Sequence, residues 1–169
     1  VYGRSIFENS SFIASSAFSN RKLHGTGFVA RLSGSTAEFL DMWLRMNLGH
    51  EPFGLDAKGQ LEFAFNPILP DWMFTKEEVT RRVQLRDGSA ITVTLPKNAY
   101  AFVLMGQTLV VYTNPKRLNT YGPRRAAVKR VGFMDANKKQ TIIDGNALSA
   151  PHAKALRDGL IRRVDVELS

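Results

Sequence analysis

No cysteine occurs in this 169-residue chain, which excludes disulfides, thiolate metal sites and a cysteine nucleophile together. Histidine is nearly as scarce. His24, His50 and His152 stand far apart without metal-ligand spacing, so no metal site is expected. A run of about 18 apolar residues is missing too, and with it any expectation of a membrane-spanning helix or a membrane partner. The start at Val1 has neither an initiator Met nor the basic-then-apolar plan of a signal peptide, and such a beginning reads as a piece of something longer. The lack of thiols fits a reducing compartment, so the expected location is cytoplasmic. Acidic residues are outnumbered: 15 Asp and Glu face 23 Lys and Arg, a formal net charge of +8. That surplus can attract nucleic acid, anionic surfaces or phosphorylated ligands, but a solvated surface is its commoner meaning.

What is present is a globular composition, with 44% hydrophobic and 22% charged residues. The first third reads as helix and loop. In 5–18, Ile6, Phe7, Phe12, Ile13 and Ala17 recur at helical spacing. Residues 19–27 carry Asn20, Gly25 and Gly27 as loop punctuation. A clearer helix follows. Ser35 and Glu38 form a Ser-x-x-Glu capping pair, and Phe39, Met42, Trp43 and Met46 build one apolar face read as core. Gly49 then supplies a left-handed stop ahead of Pro52.

Beyond that point the period changes to two. Leu61, Phe63 and Phe65 alternate with Glu62 and Ala64, and Ile91, Val93 and Leu95 alternate with threonines up to Pro96. Two apolar runs, 99–105 and 108–112, flank Gly106-Gln107, a hairpin turn. Short strands are expected at 131–134 and 142–143. Ser149, Pro151 and Gly159 then bracket a short helix, and Val164, Val166 and Leu168 make a final strand. The expected fold class is α+β, with N-terminal helices followed by an antiparallel β-sandwich.

Ser33-Gly34-Ser35-Thr36, directly ahead of the apolar helix, is the stretch with chemistry in it. A helix N-terminus carries unpaired N–H groups and a partial positive charge. Glycine there lets an anion approach the backbone, and neighbouring hydroxyls can donate to it. The four residues have the parts of a phosphate cradle, although they are not a P-loop. From spacing alone, capping is the commoner meaning of the same residues, since Ser-x-x-Glu is frequent at helix starts.

His24-Gly25, Leu32-Ser33-Gly34-Ser35-Thr36-Ala37, the helix ending at Trp43 and Gly49, and Phe65-Asn66-Pro67-Ile68-Leu69-Pro70-Asp71-Trp72 occur in order. Over about residues 5–75 this resembles the late barrel domain of inverting β-glucoside phosphorylases, the cellobiose and chitobiose phosphorylases of glycoside hydrolase family 94 and their β-glucan relatives. The resemblance implies that 1–52 is the end of an (α/α)6 barrel, 53–78 a linker with first strands, and 79–169 the C-terminal β-sandwich. It implies phosphate binding at Ser33 and Gly34. His24, Arg31 and Ser35 are further candidate contacts to substrate or phosphate. An ordinary loop histidine and a solvated or salt-bridged arginine account for His24 and Arg31 as readily, and Phe28-Val29-Ala30-Arg31 departs from the family's run. Inorganic phosphate is then a co-substrate and no organic cofactor or metal is needed. Phosphate attacks the anomeric carbon while a carboxylic acid protonates the leaving oxygen. The family's acid has no counterpart among Asp41, Asp56 and Asp71, so no catalytic residue is assigned and the chain is expected to be inactive alone. Implied partners are an oligo- or polysaccharide, the remainder of the parent catalytic domain, and a second copy in a homodimer.

Other features carry weaker readings. Residues 114–132 hold Lys116, Arg117, Arg124, Arg125, Lys129 and Arg130 with no acid and with Tyr121 among them, a composition that suits single-stranded nucleic acid or, more often, a solvated loop. Trp72 can stack on a sugar, though a core anchor is the commoner use. A non-catalytic carbohydrate-binding or structural β-sandwich is the alternative to the phosphorylase reading.

Overall fold

A computed structural model describes residues 12–25, 27–28, 33–134 and 139–169. Mixed α/β structure dominated by strands is the result. The chain divides into two compact units, Val1–Trp43 and Leu44–Ser169.

In the first unit, β1 (Phe12–Ile13) pairs antiparallel with β2 (Gly27–Phe28), with Phe12 opposite Phe28. Phe12 and Ile13 are therefore strand, where their spacing predicts helix. Two β-branched or aromatic residues in succession satisfy either pattern, and the partner strand decides. The rest of 5–18 up to Ser11 lies outside the described residues. A 3-10 turn, Arg21–Leu23, is capped by the Asn20 side chain, which accepts from the Lys22 N–H at 3.1 Å.

Helix α1 (Ser33–Leu48) runs from the first unit into the second. It starts two residues before the expected cap, so Ser35 is a first-turn residue and not the N-cap. Gly49 ends it as anticipated, with φ 94°, and its N–H reaches the Arg45 carbonyl at 2.9 Å. The expected apolar face is only partly used. Phe39 is 65% and Met42 60% exposed, whereas Leu48 is buried.

The second unit is built on a five-stranded sheet in the order β10-β9-β12-β8-β7. Its strands are β7 (Ala99–Leu104), β8 (Thr108–Thr113), β9 (Val128–Met134), β10 (Gln140–Asp144) and β12 (Arg163–Leu168). Met105 and Gly106, both at positive φ, turn β7 into β8, since that turn matches the twist of the strands. The wholly antiparallel arrangement expected of the sandwich is corrected at one place. β12 runs parallel to β8, with Val164 opposite Val110. A parallel neighbour needs a crossover, and α2 (Ala150–Arg157) lies on that path, entered through Ser149 and Pro151 and left through Gly159 at φ 73°.

One face of this sheet carries Tyr100, Phe102, Val110, Tyr112, Val131, Phe133, Val164 and Val166, nearly all buried. It meets a three-stranded sheet in the order β11-β4-β3, from β11 (Ala147–Leu148), β4 (Leu61–Ala64) and β3 (Phe53–Leu55). The aromatic rings interlock edge-on. Phe53 and Phe63 lie 4.6 Å apart, Phe63 and Phe65 4.8 Å, and Phe65 and Tyr112 6.3 Å, spacings that add to the burial energy of each ring. Helix α2 closes the same layer beside β4, and His152 meets the Phe133 ring at 5.0 Å.

Tyr112 also carries a polar link. Its hydroxyl donates to the Asn47 carbonyl at 2.7 Å within this core, and burial raises its pKa well above the usual phenol value. The bond fastens the last turn of α1 to the sheet. Tyr112→Phe strands that carbonyl, and a loss of about 1–2 kcal/mol is expected, seen as a lower midpoint in urea denaturation.

The opposite face is divided. Over β7 and β8 it is covered by the hairpin of β5 (Val79–Gln84) and β6 (Ala90–Leu95), whose Val93 and Leu95 pack with Ala99, Leu109 and Val111. Over β9, β10 and β12, among the described residues, it is open. That division positions the groove described next.

Candidate functional site

The residues named from sequence lie in the first unit. Ser33, Gly34 and Ser35 are brought together as consecutive residues of the first turn of α1, a turn that contains no acidic side chain. Glu38 sits beyond it. Arg31 lies outside the described residues. His24 follows the 3-10 turn, and its Nε2 is 2.8 Å from the Phe18 carbonyl, a bond that uses one of its two ring nitrogens. Asp56, one of three aspartates considered for acid chemistry, is a turn residue. Its Oδ1 accepts from the N–H groups of Lys58 and Gln60, both at 2.8 Å.

Trp72 is 71% exposed, which corrects its reading as a core anchor. Leu69 and Phe74 occupy the buried positions on either side, and the 3-10 turn Asp71–Met73 leaves the indole outside. This segment is pinned from across the chain. Thr120 Oγ1 donates to the Pro67 carbonyl at 2.6 Å and accepts from the Leu69 N–H at 2.7 Å, while Asn119 Oδ1 accepts from the Asp71 N–H at 2.8 Å.

The basic stretch 114–132 is not simply a solvated loop. Arg117 turns inward, giving Nη1 to the Thr75 carbonyl (2.8 Å) and Asn98 Oδ1 (3.1 Å), and Nη2 to the Phe74 carbonyl (2.9 Å). Lys129 Nζ and Arg130 Nη2 both reach the Glu167 carboxylate, the first at 3.0 Å. Three of the six cations thus have partners within the chain, which weakens the nucleic-acid reading for this run.

A groove of about 1120 Å³ lies on the open half of the five-stranded sheet. Three cross-strand rows form it. Ile142, Gly132 and Asp165 share the central row, and Asp144, Arg130 and Glu167 the next. Gln140 and Met134 pair in the third, on the side of Arg163. Alternation along Arg163-Val164-Asp165-Val166-Glu167 sends every second side chain to this face, which is why a strand with a buried valine stripe also offers charge.

The charges are paired across the strands, four cations with three carboxylates. Arg163 holds Asp165 through Nε at 3.0 Å and Nη2 at 2.7 Å. Hydrogen bonds from Lys129 and Arg130 keep the Glu167 carboxyl below its usual pKa. At one wall Arg162 Nη2 lies 2.7 Å from Asp87 Oδ2. Asp87, in the β5–β6 turn, also accepts from the Ser89 hydroxyl and N–H, and these bonds hold its carboxyl well below the carboxylate range.

Sequence reasoning passed over this groove. The signal it left was a glycine in the middle of a strand, in Val131-Gly132-Phe133, where glycine is poorly suited. No protein-family model matches the chain, and no curated protein matches it in sequence.

Proposed function

We propose that the chain is the C-terminal portion of an inverting glycoside phosphorylase. In this reading it supplies the phosphate-side turn and the closing β-sandwich to a catalytic (α/α)6 barrel that carries the acid. The sandwich is then the five-stranded sheet against the three-stranded one, which takes in β3 and β4 from the segment 53–78, read as linker and first strands. Ser33 and Gly34 hold inorganic phosphate by first-turn N–H groups and the Ser33 hydroxyl, and the phosphate attacks the anomeric carbon as the acid protonates the departing oxygen. The products are a sugar 1-phosphate of inverted configuration and a shortened saccharide.

The observation that carries the reading is the start of α1 at Ser33-Gly34-Ser35-Thr36, a 16-residue helix whose first turn has glycine, hydroxyls and no acid to repel an anion. The exposure of Phe39, Leu40 and Met42 on that helix adds to it, since apolar side chains on a barrel helix are met by neighbouring helices of the parent. In the longer enzyme, Gly34→Leu is expected to raise the KM for inorganic phosphate at least about tenfold, the equivalent of roughly 1.4 kcal/mol. Steady-state kinetics with phosphate varied at fixed saccharide tests this. An unchanged phosphate dependence overturns the cradle.

A non-catalytic carbohydrate-binding module is the second reading, favoured by the groove on the five-stranded sheet.

A further inference from the structure

We propose that the groove over β9, β10 and β12 is a binding site for a neutral oligosaccharide. Its dimensions come first. About 1120 Å³ slightly exceeds the roughly 300–1,000 Å³ typical of small-ligand sites. From Arg130 to Met134 the floor extends roughly 13 Å along the strand, which is longer than one sugar ring.

Gly132 forms the middle of that floor for no structural reason. Its φ lies outside the left-handed region, and a Cβ there would meet the Asp165 and Thr141 carbonyl oxygens at 3.8 and 3.9 Å, ordinary contacts. Among the described residues neither backbone conformation nor crowding calls for glycine, and glycine weakens a strand. A glycine inside a strand often marks a place where a ligand or another backbone approaches closely.

The chemistry of the walls selects the ligand. In a chain of net charge +8, this groove pairs its charges: Arg163 with Asp165, Lys129 and Arg130 with Glu167, Arg162 with Asp87. Four cations meet three carboxylates in these pairs, and each cation already faces a carboxylate, so the surface offers a phosphate backbone or an acidic peptide no cluster of uncompensated cations. Yet each guanidinium keeps N–H groups beyond those pairs, and each carboxylate keeps lone pairs, set where a hydroxyl can bridge donor and acceptor. Ile142, beside Gly132 in the central row, and Met134, in the row of Gln140, are 58% and 56% exposed and supply apolar patches for the C–H faces of pyranose rings. Paired charges alternating with small apolar patches fit a ligand that is uncharged, rich in hydroxyls and apolar on its ring faces. A protein partner calls instead for a broad apolar centre free of charge. This site is independent of the phosphate turn, so the phosphorylase reading can fail while the groove stands, or the reverse.

The test titrates the whole 169-residue chain with cellotetraose, laminaritetraose and chitotetraose by isothermal calorimetry at 0.15 M salt, followed by the Gly132→Val and Asp165→Ala variants. Saturable binding of at least one of the three is expected, changing less than about twofold at 0.5 M salt because the ligand carries no charge. Gly132→Val fills the floor and should reduce affinity at least tenfold while its melting temperature stays level or rises, as valine suits a strand. Asp165→Ala should reduce affinity at least fivefold. Absence of binding for all three saccharides overturns the proposal, as does undiminished binding by folded Gly132→Val. So does a dimer of the parent chain that Gly132→Val converts to monomer without any saccharide binding, since that outcome makes the face a protein contact.

Discussion

Gly49→Ala is expected to destabilise the chain by about 3 kcal/mol or more and to lower its melting temperature by roughly 6–12 °C. Two effects combine. At φ 94° an alanine is held in a conformation that L side chains resist, which costs about 1–2 kcal/mol. Its Cβ would also stand 2.7 Å from the Asn66 carbonyl oxygen and 2.7 Å from Asn66 Cβ. Asn66 cannot step aside, because its N–H donates to the Leu48 carbonyl at 2.9 Å and Pro67 is held by Thr120. Gly59 separates the two effects. It has φ 72° and open space around it, so Gly59→Ala carries the strain without the clash and should cost about 1 kcal/mol. Equal losses for the two variants in thermal melts followed by circular dichroism would refute the close-approach argument.

Arg117→Ala should cost about 2–4 kcal/mol, a large effect for a residue in a basic loop. The guanidinium ties Phe74, Thr75 and Asn98 together with three charge-assisted bonds, each stronger than a neutral one. Truncation leaves two half-buried carbonyls to find water, and the backbone keeps its φ of 48°. Arg117→Lys should recover little, since an ammonium cannot address three acceptors from the two ends of a planar fork. Arg117→Gly relieves the backbone and should fall between wild type and Arg117→Ala. Urea denaturation decides it, and a change in Arg117→Ala below about 0.5 kcal/mol would remove the clasp from the account.

The two residues also mark how far the sequence could be read. Gly49 was legible because a helix stop is a local event: an apolar helical pattern, a glycine, then a proline. The same locality made β6, the β7–β8 hairpin, α2 and β12 readable from alternation and turn residues. Arg117 was not legible. Nothing within the basic run tells which of its six cations turns inward, because the acceptors come from Phe74, Thr75 and Asn98, up to 43 positions away. The same holds for α1. The 3.6-residue pattern of Phe39, Met42, Trp43 and Met46 correctly gives the helix, but it cannot say what covers each side chain, and Phe39 and Met42 are exposed. Trp72 failed for a different reason. It sits in a short 3-10 turn between buried Leu69 and Phe74, and neither a period of two nor one of 3.6 applies across so brief an element to say which side chain turns inward. Strand direction is silent in period two, so the parallel pairing of β12 with β8 could not be read. Of the candidate sites, the phosphate turn was visible as a continuous stretch. The groove was scattered over three strands, with Gly132 its lone mark.

The place of β12 has a consequence for how the protein is made. The β7–β8 and β9–β10 hairpins are each local and can close soon after they are synthesised. Both present an unpaired strand edge toward the gap that residues 163–168 fill. Until those residues leave the ribosome, the two hairpins have no common hydrogen-bonded partner, and their apolar stripes have half a sheet to rest on. Completion of the sheet therefore waits for β12, and a nascent chain stalled before residue 163 exposes two templates for unwanted strand pairing.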